Sequence, residues 1–152
     1  MVNTIFVLAF SFTASLGFAV VFNIHSKEKL LYAGPGGFIT RLVYIILSSF
    51  IQQRFIYILI ASMVVSIYGE TLACKQHIPA SYFIYPSIIP LIPGDLFHYM
   101  IASILTGNIA LAKTQGIEGI DCLLSLIAMS LGTIISTTTF QSIRRSTQNQ
   151  DD

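Results

Sequence analysis

The sequence predicts an all-α, polytopic membrane protein: a helix bundle of four to five spans, one of them broken by proline and glycine. Hydrophobic residues make up 54% of the 152 residues and charged residues only 10%, whereas soluble domains carry about 25% charged residues. Mean hydropathy is +0.75, and several apolar runs reach the roughly 20 residues that a helix needs to cross a bilayer. We therefore expect residues 1–141 to form one transmembrane domain and residues 142–152 a polar, mobile tail.

Charge and cysteine content argue against several other classes of protein. The formal net charge is +1, so no basic surface indicates nucleic-acid binding. Cys74 and Cys122 form no CxxC motif and have no metal-ligand spacing, which favours two incidental thiols. No metal ion or other cofactor is predicted.

The first predicted span covers residues 2–24, with Asn23 at its end. A cleaved signal peptide is the alternative interpretation. No Lys or Arg precedes the apolar run, however, and no A-x-A site closes it, so a retained helix is favoured. Small residues along this helix suit close packing against a neighbouring helix.

The second predicted span covers residues 30–50 and begins with an unusual run from Gly34 to Gly37, Gly-Pro-Gly-Gly. We expect this run to break the helix, which would continue from residue 38. Arg41 follows one turn later, and an arginine inside a span usually faces protein or water. The alternative is that its charged head reaches the membrane surface while its apolar stem lies along hydrocarbon.

The third predicted span covers residues 55–73 and is the plainest of the set. Glu70 lies near its end. The sequence favours an interfacial carboxylate close to Lys75 over a functional group at this position.

The fourth segment, residues 82–107, is apolar almost throughout but contains Pro86, Pro90, Pro93 and Gly94. Each proline removes a backbone donor and clashes with the preceding turn, so a continuous helix is not expected. In hydrocarbon, irregular backbone is tolerated only where protein buries it or where it lines a wet cavity. Many transporters use such discontinuous helices to build a binding site near the middle of the membrane.

A polar cluster of Asp95, His98 and Tyr99 follows the break. Asp95 and His98 are three residues apart, on one helical face, and could relay a proton near neutral pH. Simpler roles are equally open: Asp95 as the cap of the following half-helix, His98 in a hydrogen bond to a neighbouring helix, and Tyr99 in packing.

A polar linker over residues 108–116 and a last span over residues 117–140 complete the chain. If all five segments cross, the lysines and arginines of the connections favour an N-terminus outside and a C-terminus inside. A re-entrant fourth segment would invert everything that follows it. The inner side would hold five basic residues and the outer side two: Lys27, Lys29, Lys75, Arg144 and Arg145 against Arg54 and Lys113.

Three motifs resemble those of one family. Residues 89–99 are similar to the I-P-x-x-P-G-x-x-x-x-Y signature of the threonine/serine exporter (ThrE) family. Residues 18–23 resemble its F-A-x-V-F-N, and Gly34, Gly37 and Arg41 match its G-x-x-G-x-x-x-R. The order and spacing of the motifs, and the length of the chain, most resemble the small separate subunit of that family.

The resemblance implies an exporter component of the bacterial inner membrane that works with a larger, multi-helix ThrE-like subunit. It implies small polar acids as substrates: threonine and serine, or a dicarboxylate such as succinate. Asp95 and His98 are not part of the family's motif, so the resemblance assigns them no role.

The residues themselves suit a small anionic or zwitterionic solute. Arg41 could bind a carboxylate through its bidentate fork, and the backbone at Pro90, Pro93 and Gly94 could bind both ends of an amino acid. The predicted transport pathway comprises Asn23, Arg41, Asp95, His98 and Tyr99. An enzyme is not predicted, because no second aspartate lies deep in another span to form a carboxylate dyad. A membrane scaffold that stabilises a partner, and a homo-oligomer, remain alternatives.

Overall fold

The computed structural model describes residues 2–22, 24, 27–94, 97–98, 101–102, 105 and 109–148. Over these residues the chain forms five α-helices and one short 3₁₀-helix, without β-strands, which confirms the all-α prediction. The helices are α1 (Val2–Val21), α2 (Lys27–Phe50), α3 (Arg54–Gln76), α4 (Ser81–Ile88), the 3₁₀-helix Ile89–Leu91, and α5 (Ile109–Gln148).

Four of the described helices are long and apolar enough to cross a membrane. They agree to within a few residues with the first, second, third and last predicted spans. Their apolar stretches are Asn3–Val21, Leu30–Phe50, Arg54–Gln76 and Gly119–Arg144. The prediction of a multi-pass membrane bundle is therefore confirmed.

The predicted break between Gly34 and Gly37 is wrong, because α2 is continuous through both glycines and through Pro35. Within a membrane, groups from neighbouring helices can satisfy the backbone near such a proline. In this fold, the Tyr68 hydroxyl donates to the carbonyl of Tyr32 at 2.8 Å. The Ser15 hydroxyl lies 2.8 Å from the carbonyl of Ala33. Both carbonyls belong to the turn before Pro35, so two neighbouring helices supply donors where the helix is weakest.

The glycines of α2 serve close packing instead of a break. A Cβ on Gly34 would lie 2.6 Å from the ring of Phe12, and one on Gly37 would lie 2.7 Å from the backbone oxygen of Ser11. Gly34, Gly37 and Arg41 are spaced three and four residues apart, which is the spacing of one helical face. The two glycines let α1 approach this face closely.

The predicted polar linker over residues 108–116 lies outside the apolar stretch Gly119–Arg144, and from Ile109 onward it is helical because α5 begins there. Residues 109–115 contain neither glycine nor proline and include good helix formers. At 40 residues α5 is roughly 60 Å long, about twice the hydrocarbon thickness of a bilayer. It therefore extends beyond its apolar stretch. Because α5 continues to Gln148, a separate tail from residue 142 stays a prediction.

Side-chain pairings give the direction of each helix. Tyr44 packs on Tyr57 and Tyr32 accepts from Tyr68, so α2 and α3 are antiparallel. Ser11 faces Gly37 while Ala19 packs on Ala33, so α1 and α2 are antiparallel as well.

Helices α3 and α5 are parallel. Gly132 of α5 packs on Ser62 of α3, the Ser136 hydroxyl donates to the carbonyl of Met63 at 3.2 Å, and Gln141 contacts Glu70. In this register the start of α3 lies beside the apolar stretch of α5, and the first part of α5 extends beyond the level at which α3 starts. Five crossings, with the two termini on opposite sides of the membrane, stay a prediction.

The main apolar core brings α3 and α5 together with the end of the 3₁₀-helix. It lies at the level of the first half of α3 and is packed by apolar side chains of α2. Its buried members are Tyr57, Ile58, Ala61, Leu91, Ala128 and Met129. The backbone that follows α4 is thus attached to the bundle core through Leu91.

The packing of α1 on α2 generates a test of stability. Gly37→Ala should destabilise the fold by about 1–3 kcal/mol, because the new methyl group would meet the backbone of Ser11. Gly17→Ala is the matched control in the same helix pair, since a Cβ at Gly17 has no atom within 4 Å. Unfolding of the purified protein in detergent by increasing dodecyl sulfate measures both. Equal stability of the two variants would contradict this packing.

Candidate functional site

The backbone leaves the helical conformation after α4. The 3₁₀-helix ends at Leu91, and Ile92 is extended with φ −61° and ψ 126°. Pro90 and Pro93 carry no backbone donor, which prevents the α-helical hydrogen-bond pattern from continuing. Helical conformation resumes at Gly94. Whether residues 82–107 form two halves of one span stays a prediction.

Arg41 of α2 reaches this irregular backbone. Its Nη1 lies 3.4 Å from the carbonyl oxygen of Pro90, and its Cζ lies 4.7 Å from the centre of the Tyr44 ring. Among the described residues its buried Nε has no hydrogen-bond partner. A guanidinium has five N–H donors, and among the described residues the Pro90 carbonyl is the hydrogen-bond acceptor shown for it.

Arg41 lies deep in the span. It is near the middle of the apolar stretch Leu30–Phe50, about two and a half turns from Phe50. Its guanidinium is directed at Pro90. The structure therefore brings together two elements that the sequence suggested separately, the arginine of one span and the break of another.

A shallow groove of about 300 Å³ lies beside the Arg41–Pro90 contact. Its other wall is the middle of α1, where Phe10 is 70% exposed. The groove therefore opens at the surface of the bundle. The lining residues are Val7, Phe10, Ser11, Ala14, Arg41 and Pro90.

A buried serine of α1 holds the start of the break in place. The Ser15 hydroxyl lies 2.8 Å from the carbonyl of Ala33 and 2.9 Å from that of Pro86. The single hydroxyl of Ser15 is thus within hydrogen-bond distance of carbonyls on both α2 and α4. Ser87 packs against Gly36 of α2. These contacts fix α4 against α1 and α2, and Pro90 follows it within reach of the Arg41 side chain.

The other predicted site residues are placed only in part. His98 lies in helical backbone with an exposed side chain. Asn23, Asp95 and Tyr99 lie outside the described residues. The proposed proton relay between Asp95 and His98 thus stays a prediction. Within the described part of the chain, no group of three His, Cys, Asp or Glu residues could hold a metal ion.

A second polar cavity was not predicted from the sequence. It has a volume of about 640 Å³ and lies between the C-terminal ends of α3 and α5. Glu70, predicted to be interfacial, is only 6% exposed and accepts a hydrogen bond from Gln141 at 3.4 Å. The sequence does contain one pattern that could have indicated this cavity. The spacings of four and three between Glu70, Cys74 and His77 are those of residues on one helical face. The lining comprises Glu70, Ala73, Cys74, His77, Ile78, Pro79, Ala80, Gln141 and Arg144.

The fold and the Arg41–Pro90 site together define a multi-pass membrane protein with a polar site inside its apolar layer. The family described as Threonine/Serine exporter, ThrE, matches residues 7–139, which is most of the chain. The chain belongs to this family, which is a family of transporters. No curated protein and no solved structure matches the chain.

Proposed function

We propose that this chain is the small membrane subunit of a two-component exporter of small polar acids. The substrates would be threonine and serine, or a dicarboxylate such as succinate. The partner would be a larger, multi-helix ThrE-like subunit. The complex would lie in the bacterial inner membrane, with the N-terminus of this chain outside and its C-terminus inside, and would carry out no enzymatic step.

The groove beside Arg41 is the observation that carries the proposal. It exposes part of an arginine near mid-span, and a charged side chain at that depth is costly unless it faces protein or water. A partner helix laid over Val7, Phe10 and Ala14 would bury the apolar wall of the groove and enclose Arg41. A second copy of the chain is the alternative cover.

The chemistry of the groove suits a carboxylate. The Arg41 guanidinium can bind it through two parallel N–H···O bonds. The Tyr44 ring restricts the guanidinium on one side, and the Pro90 carbonyl holds it on another. Backbone groups between Pro90 and Gly94 would bind the remaining polar groups of the substrate, as in other carriers with discontinuous helices. Asn23, Asp95, His98 and Tyr99 complete the proposed pathway.

Efflux from preloaded cells tests the two-component proposal. Cells loaded with labelled threonine, serine or succinate would express this chain alone, the larger subunit alone, or both. We expect export only when both are present, because neither subunit alone encloses the groove. Export by the larger subunit alone, unchanged by this chain, would contradict the proposal and favour a non-transporting scaffold that stabilises its partner.

Substitution of Arg41 tests the site itself. Arg41→Gln should reduce efflux by the pair roughly ten- to hundredfold, because a hydrogen bond to a charged group contributes about 1.5–3 kcal/mol. Arg41→Lys keeps the charge without the bidentate fork and should retain part of the activity. Lys75→Gln, which removes an exposed charge at the end of α3, is the control. Efflux by Arg41→Gln at the control's rate, with equal amounts in the membrane, would remove Arg41 from the site.

A further inference from the structure

The cavity between the ends of α3 and α5 contains charged groups of both signs. Glu70 forms its buried inner wall, while the side chains of His77 and Arg144 are exposed at its mouth. Glu70 and Arg144 are both described, and no ion pair joins them; the carboxyl group of Glu70 contacts Gln141 instead. The cavity thus has a buried acid and a separate, accessible base.

The register of α3 and α5 brings Arg144 to the same cavity as Glu70. Gln141 lies beside Glu70, and Arg144 follows three residues later on the same face of α5, about 4.5 Å further along the axis. A volume of about 640 Å³ also lies within the usual range for small-molecule sites, about 300–1,000 Å³.

We propose that this cavity is a second binding site for small zwitterions, with the ammonium group at Glu70 and the anionic group at Arg144 and His77. The inference rests on the proposed export function and adds to it a second site at which the amino-acid substrate would bind. Succinate has no ammonium group to pair with Glu70, and the Glu70 carboxylate would repel its second carboxylate.

The position of the cavity at one end of the bundle suggests when the substrate would bind there during export. It opens at the end of the bundle on which the C-terminus lies, which is the inner side in the proposed orientation. Glu70 is about nine residues further along α3 than Ala61, which lies in the core with Leu91, a distance of roughly 14 Å. The cavity would therefore receive the substrate from the inside before it reaches the Arg41 groove.

The backbone of His77 supports a role for its side chain. His77 is in the left-handed region with φ 55° and ψ 39° and caps α3, donating its N–H to Ala73. Glycine is the usual residue at such a helix end, and a non-glycine residue there carries a modest strain. The chain thus places an imidazole at the mouth of the cavity where glycine would fit the backbone better.

Cys74 provides a direct test, because it lines the cavity whereas Cys122 is only 1% exposed. The full chain in lipid nanodiscs would react with a small, charged maleimide, and labelling of Cys74 would be timed. Threonine and serine should slow this labelling severalfold, and succinate should not. Cys122 should stay unlabelled in folded protein, which makes it the internal check of folding in every variant.

Three variants test which side chains are needed for threonine to protect Cys74 from labelling. Glu70→Gln and Arg144→Gln should each abolish protection by threonine, measured for each variant as the ratio of its own labelling rates with and without threonine. Lys75→Gln removes a nearby exposed charge that does not line the cavity and should keep the protection. Labelling of Cys122 in the Glu70→Gln variant would mean that this variant does not fold. Because the side chain of Arg144 is exposed, Arg144→Gln should still fold and provide the test.

The outcomes separate this inference from the proposed function. An absence of protection by amino acids, or equal protection by succinate, would overturn the zwitterion site while leaving export by the pair untouched. Phosphatidylethanolamine presents the same ammonium–anion chemistry, so nanodiscs with and without it form a second arm. Protection that depends on this lipid and not on added amino acid would assign the cavity to a headgroup and overturn the amino-acid site.

Discussion

Backbone polar groups inside an apolar layer need partners from the protein itself, and in this chain that requirement concentrates at Pro90–Gly94. A continuous helix would satisfy the segment internally, but its prolines prevent that. The Arg41 guanidinium lies against the Pro90 carbonyl, Leu91 anchors the segment in the core, and Ser15 ties α4 to α1 and α2. The close approach of α1, α2 and α4, and hence the glycines of α2, follows from holding this segment in place.

Hydropathy was sufficient to predict the four long apolar helices, because in a membrane length and composition alone specify a span. The one contradicted prediction concerns the conformation of a short Gly/Pro run. The Gly-Pro-Gly-Gly run predicts a break, but the spacing of its glycines to Arg41 is that of residues on one helical face. The glycines are explained by the close approach of Phe12 and Ser11. The run 108–116 lies outside the apolar stretch of the last span, as expected; its helical conformation from Ile109 follows from the good helix formers that it contains.

The tertiary contacts could not be predicted from the sequence, because they depend on how the helices pack. Arg41 and Pro90 are far apart in the chain, and their contact depends on how α4 lies on α2, which no local pattern encodes. The burial of Glu70 depends on the parallel register of α3 and α5, set by contacts such as Ser136 with Met63. The family resemblance did indicate Pro90, Pro93 and Arg41 as motif residues. In the fold, the motif that contains Arg41 lies against the motif that contains Pro90.

The most direct measurement of the central claim is a structure of the complex with the larger subunit, determined by electron cryomicroscopy with threonine bound. The account predicts that a helix of the partner covers the groove of Phe10 and Ala14, and that the substrate carboxylate lies within hydrogen-bond distance of Arg41. A complex in which this groove faces lipid, with threonine bound only to the larger subunit, would contradict it.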